Sequence, residues 1–416
     1  MTSIRDALML QKREAESKLE EGYIEREAIV KGLHSNMIKV ITGPRRAGKS
    51  TLALHSAKNA GSFGYVNFDD ETLAFTEDYN QIIDNVDEIY KNPSIIILDE
   101  IQNLGKWELF VNRLQRGNRN LIVTGSNAHL LSRELSTHLT GRHLETVVLP
   151  LSFREYATKE RKELTESEKK VLMQRYLEDG GYPEPLSKNL NYNEYISTLF
   201  ESIIYKDIVK RHSIRQYKGI ENLAMFMISN SARSFSLNTL SKITSLKSIH
   251  TIEKYLKYLE EAFLIFSIRR FSFKLKEQMA SEKKIYCMDN GLISAKGFRA
   301  REEKWRLLEN CAAVELMRRF SLKNVYYWKS AQQDYEVDFV IHRGHTVEQL
   351  IQICLDVEDL KTREREVRGL LHASKELRCK ELLIVTEDYE GGEEKEWFGM
   401  RGKIKYAPMW KWLLQK

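Results

Sequence analysis

A chain that runs from a short apolar strand directly into GPRRAGKS has few folds open to it. Residues Met37 to Ile41 suit a strand, the run breaks at Thr42-Gly43, and a helical pattern restarts at Gly48. The break fits G-x-x-x-x-G-K-[ST], with Gly43, Pro44, Arg45, Arg46, Ala47, Gly48, Lys49 and Ser50 in order and Thr51 following. Glycines at these places let backbone N–H groups turn inward around an anion, and the following helix adds the positive end of its dipole. Lys49 is then placed for the β/γ-phosphates of a nucleotide and the Ser50 hydroxyl for Mg²⁺.

The neighbouring sequence alternates strands and helices. Strands are predicted at 37–42, 64–68, 94–98, 120–124 and 144–149, with helices at 49–59, 79–90 and 107–116. Near-continuous apolar runs such as IIIL indicate a parallel sheet buried on both faces. Ligands collect at the carboxyl ends of such strands, and three of those ends carry polar groups. SIIILDE delivers Asp99 and Glu100, the first suited to the Mg²⁺ shell and the second to deprotonating an attacking water. FDDE (Phe68–Glu71) offers carboxylates that either join the outer shell of the metal or cap a helix. LIVTGSN ends in Ser126 and Asn127, which either sense a γ-phosphate or cap the next helix. Arg142 is a candidate for stabilising transition-state charge, in cis or on a neighbouring subunit, against the alternative of a surface ion pair.

Composition narrows the class further. With 42% hydrophobic and 30% charged residues, the chain has the make-up of an ordinary globular protein, and 416 residues allow roughly three cores. A net charge of +6, from 65 basic and 59 acidic side chains, permits a nucleic-acid partner without requiring one. Cys287, Cys311, Cys354 and Cys379 lack C-x-x-C spacing, which argues against structural zinc and suits a reducing compartment. The N-terminus lacks the apolar stretch of a signal peptide and no run suits a membrane span, so a cytoplasmic protein without a membrane partner is expected.

Taken in order, GPRRAGKST, NFDDE, IIILDEIQN, TGSNAHLL, LTGRHLETVVLPLSFREY and GGYPEPL resemble the AAA-like archaeal-type ATPases of the STAND-related branch. Arg45-Arg46 and the PLSF-x-E-Y string carry the likeness most specifically. The resemblance implies an arginine motif ahead of the P-loop at Arg26, and a G-x-P motif that brings Pro183 to the nucleotide. It also implies an α/β P-loop core with a five-stranded parallel sheet over residues 37–150, preceded by an N-terminal helix and arginine motif (1–36). A helical lid (151–234), a winged helix (235–300) and a nuclease-like PD-(D/E)XK domain (301–416) would follow.

The residues themselves give the later segments a shape. Residues 151–234 read as helices, with FESIIYKDIVKRH the most regular stretch. SIHTIEKYLKYLEEAFLI buries Ile249, Ile252, Leu256, Leu259 and Phe263 at helical spacing. IFSIRRFSF and KKIYCMDNGL suit two hairpin strands. Three carboxylates on the polar face of the preceding helix favour an internal or assembly role over groove reading.

In the last segment EVDFVI places Asp338, and LLENCAAVEL places Glu309, where the resemblance puts acidic metal ligands. The expected E-x-K is replaced by Gln352-Ile353-Cys354, while Lys329 is near in sequence. Gln supplies no anionic ligand and Cys no ammonium group, so loss of cleavage is expected. The expected function is therefore Mg²⁺-dependent ATP hydrolysis that gates a conformational change. An ATP-regulated DNA-binding or DNA-processing enzyme, and a slow ATP-dependent assembly switch that forms homo-oligomers, stand as alternatives.

Overall fold

The computed structural model describes residues 3–127, 142–160, 163–215, 217–244, 246, 248–297, 304–331 and 334–415. The helix expected after Asn127, and two residues of the expected TSLKS turn, lie outside them. Two compact units form: residues 1–151 with 182–189 and 261–263, and residues 152–181, 190–260 and 264–416.

The first unit is built on five parallel strands: β1 (Ile38–Thr42), β2 (Phe63–Asn67), β3 (Ile95–Asp99), β4 (Leu121–Gly125) and β5 (His143–Val147), in the order β2-β3-β4-β1-β5. The IIIL run reads this way because both faces of β3 are covered. Ile96 and Leu98 join a cluster with Val40, Phe110 and Val123, while Ile95 and Ile97 join Ile41, Leu54 and Ile122. Helix α1 (Ile4–Glu20) starts at Ser3, whose hydroxyl accepts from the Asp6 N–H, and buries Ala7, Leu8, Gln11 and Ala15. Gln11 acts as a short extra strand on the sheet edge, because its amide donates to the Asn67 carbonyl and accepts from the Asn67 N–H, at 3.0 and 2.9 Å.

Helix α2 (Lys49–Ala60) follows the glycine-rich turn. At Gly43, with φ of 149°, a Cβ would sit 2.0 Å from the Val148 carbonyl oxygen, so only glycine fits.

The second unit carries a nine-stranded sheet. Its first strands are β6 (Ser234–Phe235), β7 (Ile265–Arg270) and β8 (Lys283–Cys287). The remaining six are β9 (Val325–Lys329), β10 (Glu336–Arg343), β11 (Thr346–Cys354), β12 (Leu382–Thr386), β13 (Gly391–Trp397) and β14 (Met400–Pro408). The order is β13-β14-β12-β11-β10-β9-β7-β8-β6. The hairpin β7–β8 therefore shares one sheet with the C-terminal strands through the parallel pair β7–β9, where separate domains were expected to meet near residue 300. The hairpin β13–β14 was not anticipated, because its GGEEKEW strand has almost no apolar face to read.

Two helical expectations change. FESIIYKDIVKRH is not regular, since Ile203–Lys210 is π-helical. Ile249, expected in the core at the start of its helix, is 42% exposed, whereas Ile252 and Leu259 are fully buried. Among the described residues no helix is long and apolar enough to cross a membrane.

Candidate functional site

The carboxyl ends of β1 and β3 open into a pocket of about 420 Å³. Its floor is the P-loop, through Arg45, Arg46, Gly48, Lys49, Ser50 and Thr51, and its inner wall carries Asp99 and Glu100. Lys49 is buried, donates to the Pro44 carbonyl at 2.9 Å and stands 3.8 Å from Oε1 of Glu100. The turn is held from outside by Arg26, whose guanidinium donates to the carbonyls of Ala47 (2.7 Å) and Leu149. Arg26 lines the pocket as well, so the arginine motif both braces the loop and faces its contents.

Asp99 is buried among donors. Ser50 Oγ reaches its Oδ1 at 2.9 Å, Thr124 Oγ1 donates to the same oxygen, and Tyr65 donates to Oδ2 at 2.6 Å. Burial, then the neighbouring Glu100 charge, push the Asp99 carboxyl above its ordinary range. A buried carboxylate beside a serine hydroxyl at the mouth of an anion-binding loop fits a hard dication completed by phosphate and water oxygens.

Glu100 has the opposite balance. Burial raises it, but Lys49, then Gln102 and Arg45, outweigh burial and hold it below the usual carboxylate range. Its backbone is left-handed (φ 49°, ψ 43°), and its N–H donates to Thr124 Oγ1 at 3.1 Å. A non-glycine residue held there costs roughly 1–3 kcal/mol, which the surrounding hydrogen bonds sustain.

The FDDE carboxylates divide their roles. Asp69 lines the pocket, 4.0 Å from Arg45, whereas Asp70 caps a short helix by accepting from the Thr72 N–H at 2.8 Å. Pro183 opens the helix Pro183–Lys188 on the far wall, where Glu184 pairs with Arg46 and Lys188. This segment clusters with the first unit, although the sequence reading placed it in the lid. Tyr23, stacked on His55 with ring centroids 3.9 Å apart, and Ile24 form the remaining wall.

Three expected residues are placed differently. Arg142 is exposed at the amino end of β5, beside Ile38, and the parallel register puts that end opposite the P-loop. It therefore does not reach this pocket in cis. Ser126 and Asn127 are buried and do not line the pocket. Tyr65, Thr124 and Gln102 were missed. Each lies on another strand or turn, and an isolated Tyr or Thr in a buried strand carries no local signal.

In the second unit Glu309 and Asp338 do come together, with a lysine between them. That lysine is Lys284 of β8, at 3.0 and 3.1 Å, whereas Lys329 pairs with Asp334 at 3.8 Å. Among the described residues no group of three or more His, Cys, Asp or Glu is arranged to hold a metal ion.

Comparison with known proteins agrees with the first unit. A family model described as an AAA domain matches residues 35–157, and a domain of unknown function matches 170–304. The uncharacterized protein MJ1544 of Methanocaldococcus jannaschii is 33% identical over 407 residues, covering 91% of this chain and 88% of that protein. The chain belongs to the family of MJ1544. An uncharacterized Haemophilus influenzae protein is 28% identical over 398 residues, covering 90% of this chain and 94% of its own. The structure of C. elegans PCH-2 covers 62% of this chain and 70% of its own at 14% identity and a TM-score of 0.24, too low for the likeness to carry weight. Residues 35–157 therefore form a P-loop domain of AAA type, and nucleotide binding is implied by that domain.

Proposed function

We propose that this chain is a Mg²⁺-dependent ATPase in which hydrolysis gates a conformational change. The observation that carries the reading is Glu100 at the tip of β3, lining the P-loop pocket beside Asp99 and 3.8 Å from Lys49. The triphosphate of ATP would lie along the Gly43–Thr51 turn, with its base toward Tyr23 and Ile24. Lys49 would leave Glu100 for the β/γ-phosphate oxygens and offset the charge developing there. Glu100, released from Lys49, would orient a water on the γ-phosphorus and accept its proton. Ser50 and Asp99 would hold Mg²⁺, which when bound neutralises phosphate charge. The Arg46–Glu184 pair links the loop to the Pro183–Lys188 helix, so a phosphate that draws Arg46 inward would release that helix. Arg142 would act only on the nucleotide of a neighbouring copy.

Turnover of purified full-length protein tests the reading. Lys49→Ala and Glu100→Gln should each lower ATP hydrolysis by at least about a hundredfold, with Glu100→Gln still binding nucleotide. A Glu100→Gln protein that turns over normally removes Glu100 from the chemistry.

A further inference from the structure

The carboxylates Glu309 and Asp338 meet around an ammonium group. Lys284 Nζ lies 3.0 Å from Glu309 Oε1, 3.1 Å from Asp338 Oδ1 and 2.6 Å from Glu336 Oε1. A lysine has three N–H donors, and three oxygens stand around this one. Two further donors reach the same carboxylates. Tyr286 donates to Glu309 Oε1 at 2.8 Å, and the Ile353 N–H donates to Asp338 Oδ2 at 3.0 Å. Lys284, Glu309 and Asp338 are all buried.

Gln352, at the position where an acidic ligand was expected, bridges two neighbours instead. Its Oε1 accepts from the Asp338 N–H at 3.1 Å, and its Nε2 donates to Glu366 at 2.6 Å. Only an amide both accepts and donates in this way, and a glutamate here would set two carboxylates against each other. Arg365 holds the other oxygen of Glu366. A divalent ion would need these same oxygens at about 2.0–2.6 Å, and Lys284 already stands among three of them. The residues present do not fit a metal ion as long as Lys284 is in place.

We propose that Lys284 is the fixed cation of this centre: its ammonium takes the place a divalent ion would need, leaving a metal-free carboxylate site. The lysine comes from β8, 54 residues before Asp338 in the chain, and Tyr286 reaches Glu309 from the same strand two residues on. The centre thereby clamps the β7–β8 hairpin to β10 and to the helix Lys304–Phe320, which carries Glu309.

Mn²⁺ binding to the nucleotide-free full-length chain, followed by the electron paramagnetic resonance of the free ion, tests this. The native protein should bind no Mn²⁺ that Asp338→Asn removes. Lys284→Met keeps most of the apolar stem and all three carboxylates. It should gain one Mn²⁺ per chain, lost again in Lys284→Met/Asp338→Asn. Native protein labelled with ¹⁵N-lysine should show, beside any signals of the buried Lys39 and Lys49, a slowly exchanging ammonium signal that is absent in Asp338→Asn and undisturbed by millimolar Mn²⁺. This arm decides the matter if Lys284→Met does not fold. An Asp338-dependent Mn²⁺ site in the native protein, a folded Lys284→Met that gains no ion, or an ammonium signal that is missing or broadened by Mn²⁺ would each overturn the assignment. Mn²⁺-dependent plasmid nicking that Asp338→Asn abolishes would also overturn it.

Discussion

Lys49 holds its ammonium 3.8 Å from the Glu100 carboxylate, so the cation meant for phosphate and the proposed base for water neutralise each other in the nucleotide-free protein. Both side chains are largely enclosed, so solvent screens the pair only weakly. In the proposed mechanism a nucleotide separates them before either acts.

Glu100→Gln should therefore bind ATP more tightly than the native protein as well as losing turnover. Releasing Lys49 from a competing carboxylate at this distance is worth on the order of 1 kcal/mol, or roughly fivefold in Kd. Calorimetric titration of both proteins measures it. Weaker binding by the variant would show that Glu100 does not restrain Lys49.

Tyr65→Phe addresses the other carboxylate. The phenol is fully buried and its only described acceptor here is Asp99 Oδ2, at 2.6 Å. Burial and the nearby Asp99 charge push the phenol well above its ordinary range, so it remains a donor at any working pH. Losing a hydrogen bond to a charged group should cost roughly 1.5–3 kcal/mol in the nucleotide-free protein. The deficit should shrink when Mg²⁺ and a nucleotide supply Asp99 with another counter-charge. Chemical denaturation with and without Mg²⁺ and a non-hydrolysable nucleotide tests both halves, and an unchanged deficit would place Tyr65 outside metal positioning.

His212 gives the second unit an acid-sensitive contact. It stacks on Tyr258 with ring centroids 3.5 Å apart. Burial, followed by Arg211, Lys254 and Lys257, lowers its pKa to about 4. A histidine depressed on folding contributes stability that is complete above its unfolded value near 6.5 and is lost as pH falls through about 4. His212→Phe keeps the stack without the titration. Its melting temperature should fall less than the native one between pH 6.5 and 4, by on the order of 1–2 °C. Parallel melting curves would sink the idea.

The parts of the site legible in sequence were those whose chemistry is local. Gly43 through Thr51 form one turn and the start of α2, and Asp99-Glu100 end one strand, so spacing alone reveals them. Tyr65 and Thr124 stayed hidden because their hydroxyls matter only once β2, β3 and β4 lie side by side. The cis alternative for Arg142 stayed open in the sequence for a related reason: its neighbours say nothing about which end of a parallel strand it occupies. Lys284 is the extreme case. A lysine in KKIYC reads as the solvated edge of a hairpin until the parallel pairing of β7 with β9 turns that edge toward β10.

That pairing also governs how the chain can be divided. Because β7 hydrogen-bonds to β9, residue 300 marks no seam between independent bodies. A fragment ending there would leave β7 with an open edge, and one beginning there would expose β9, each a template for association with other chains. The buried carboxylates Glu309 and Asp338 would lose their only described lysine partner in the same cut. Expression boundaries for the second unit belong outside 264–415, and the hairpin and C-terminal strands are best treated as one piece when engineering, labelling or crystallising it.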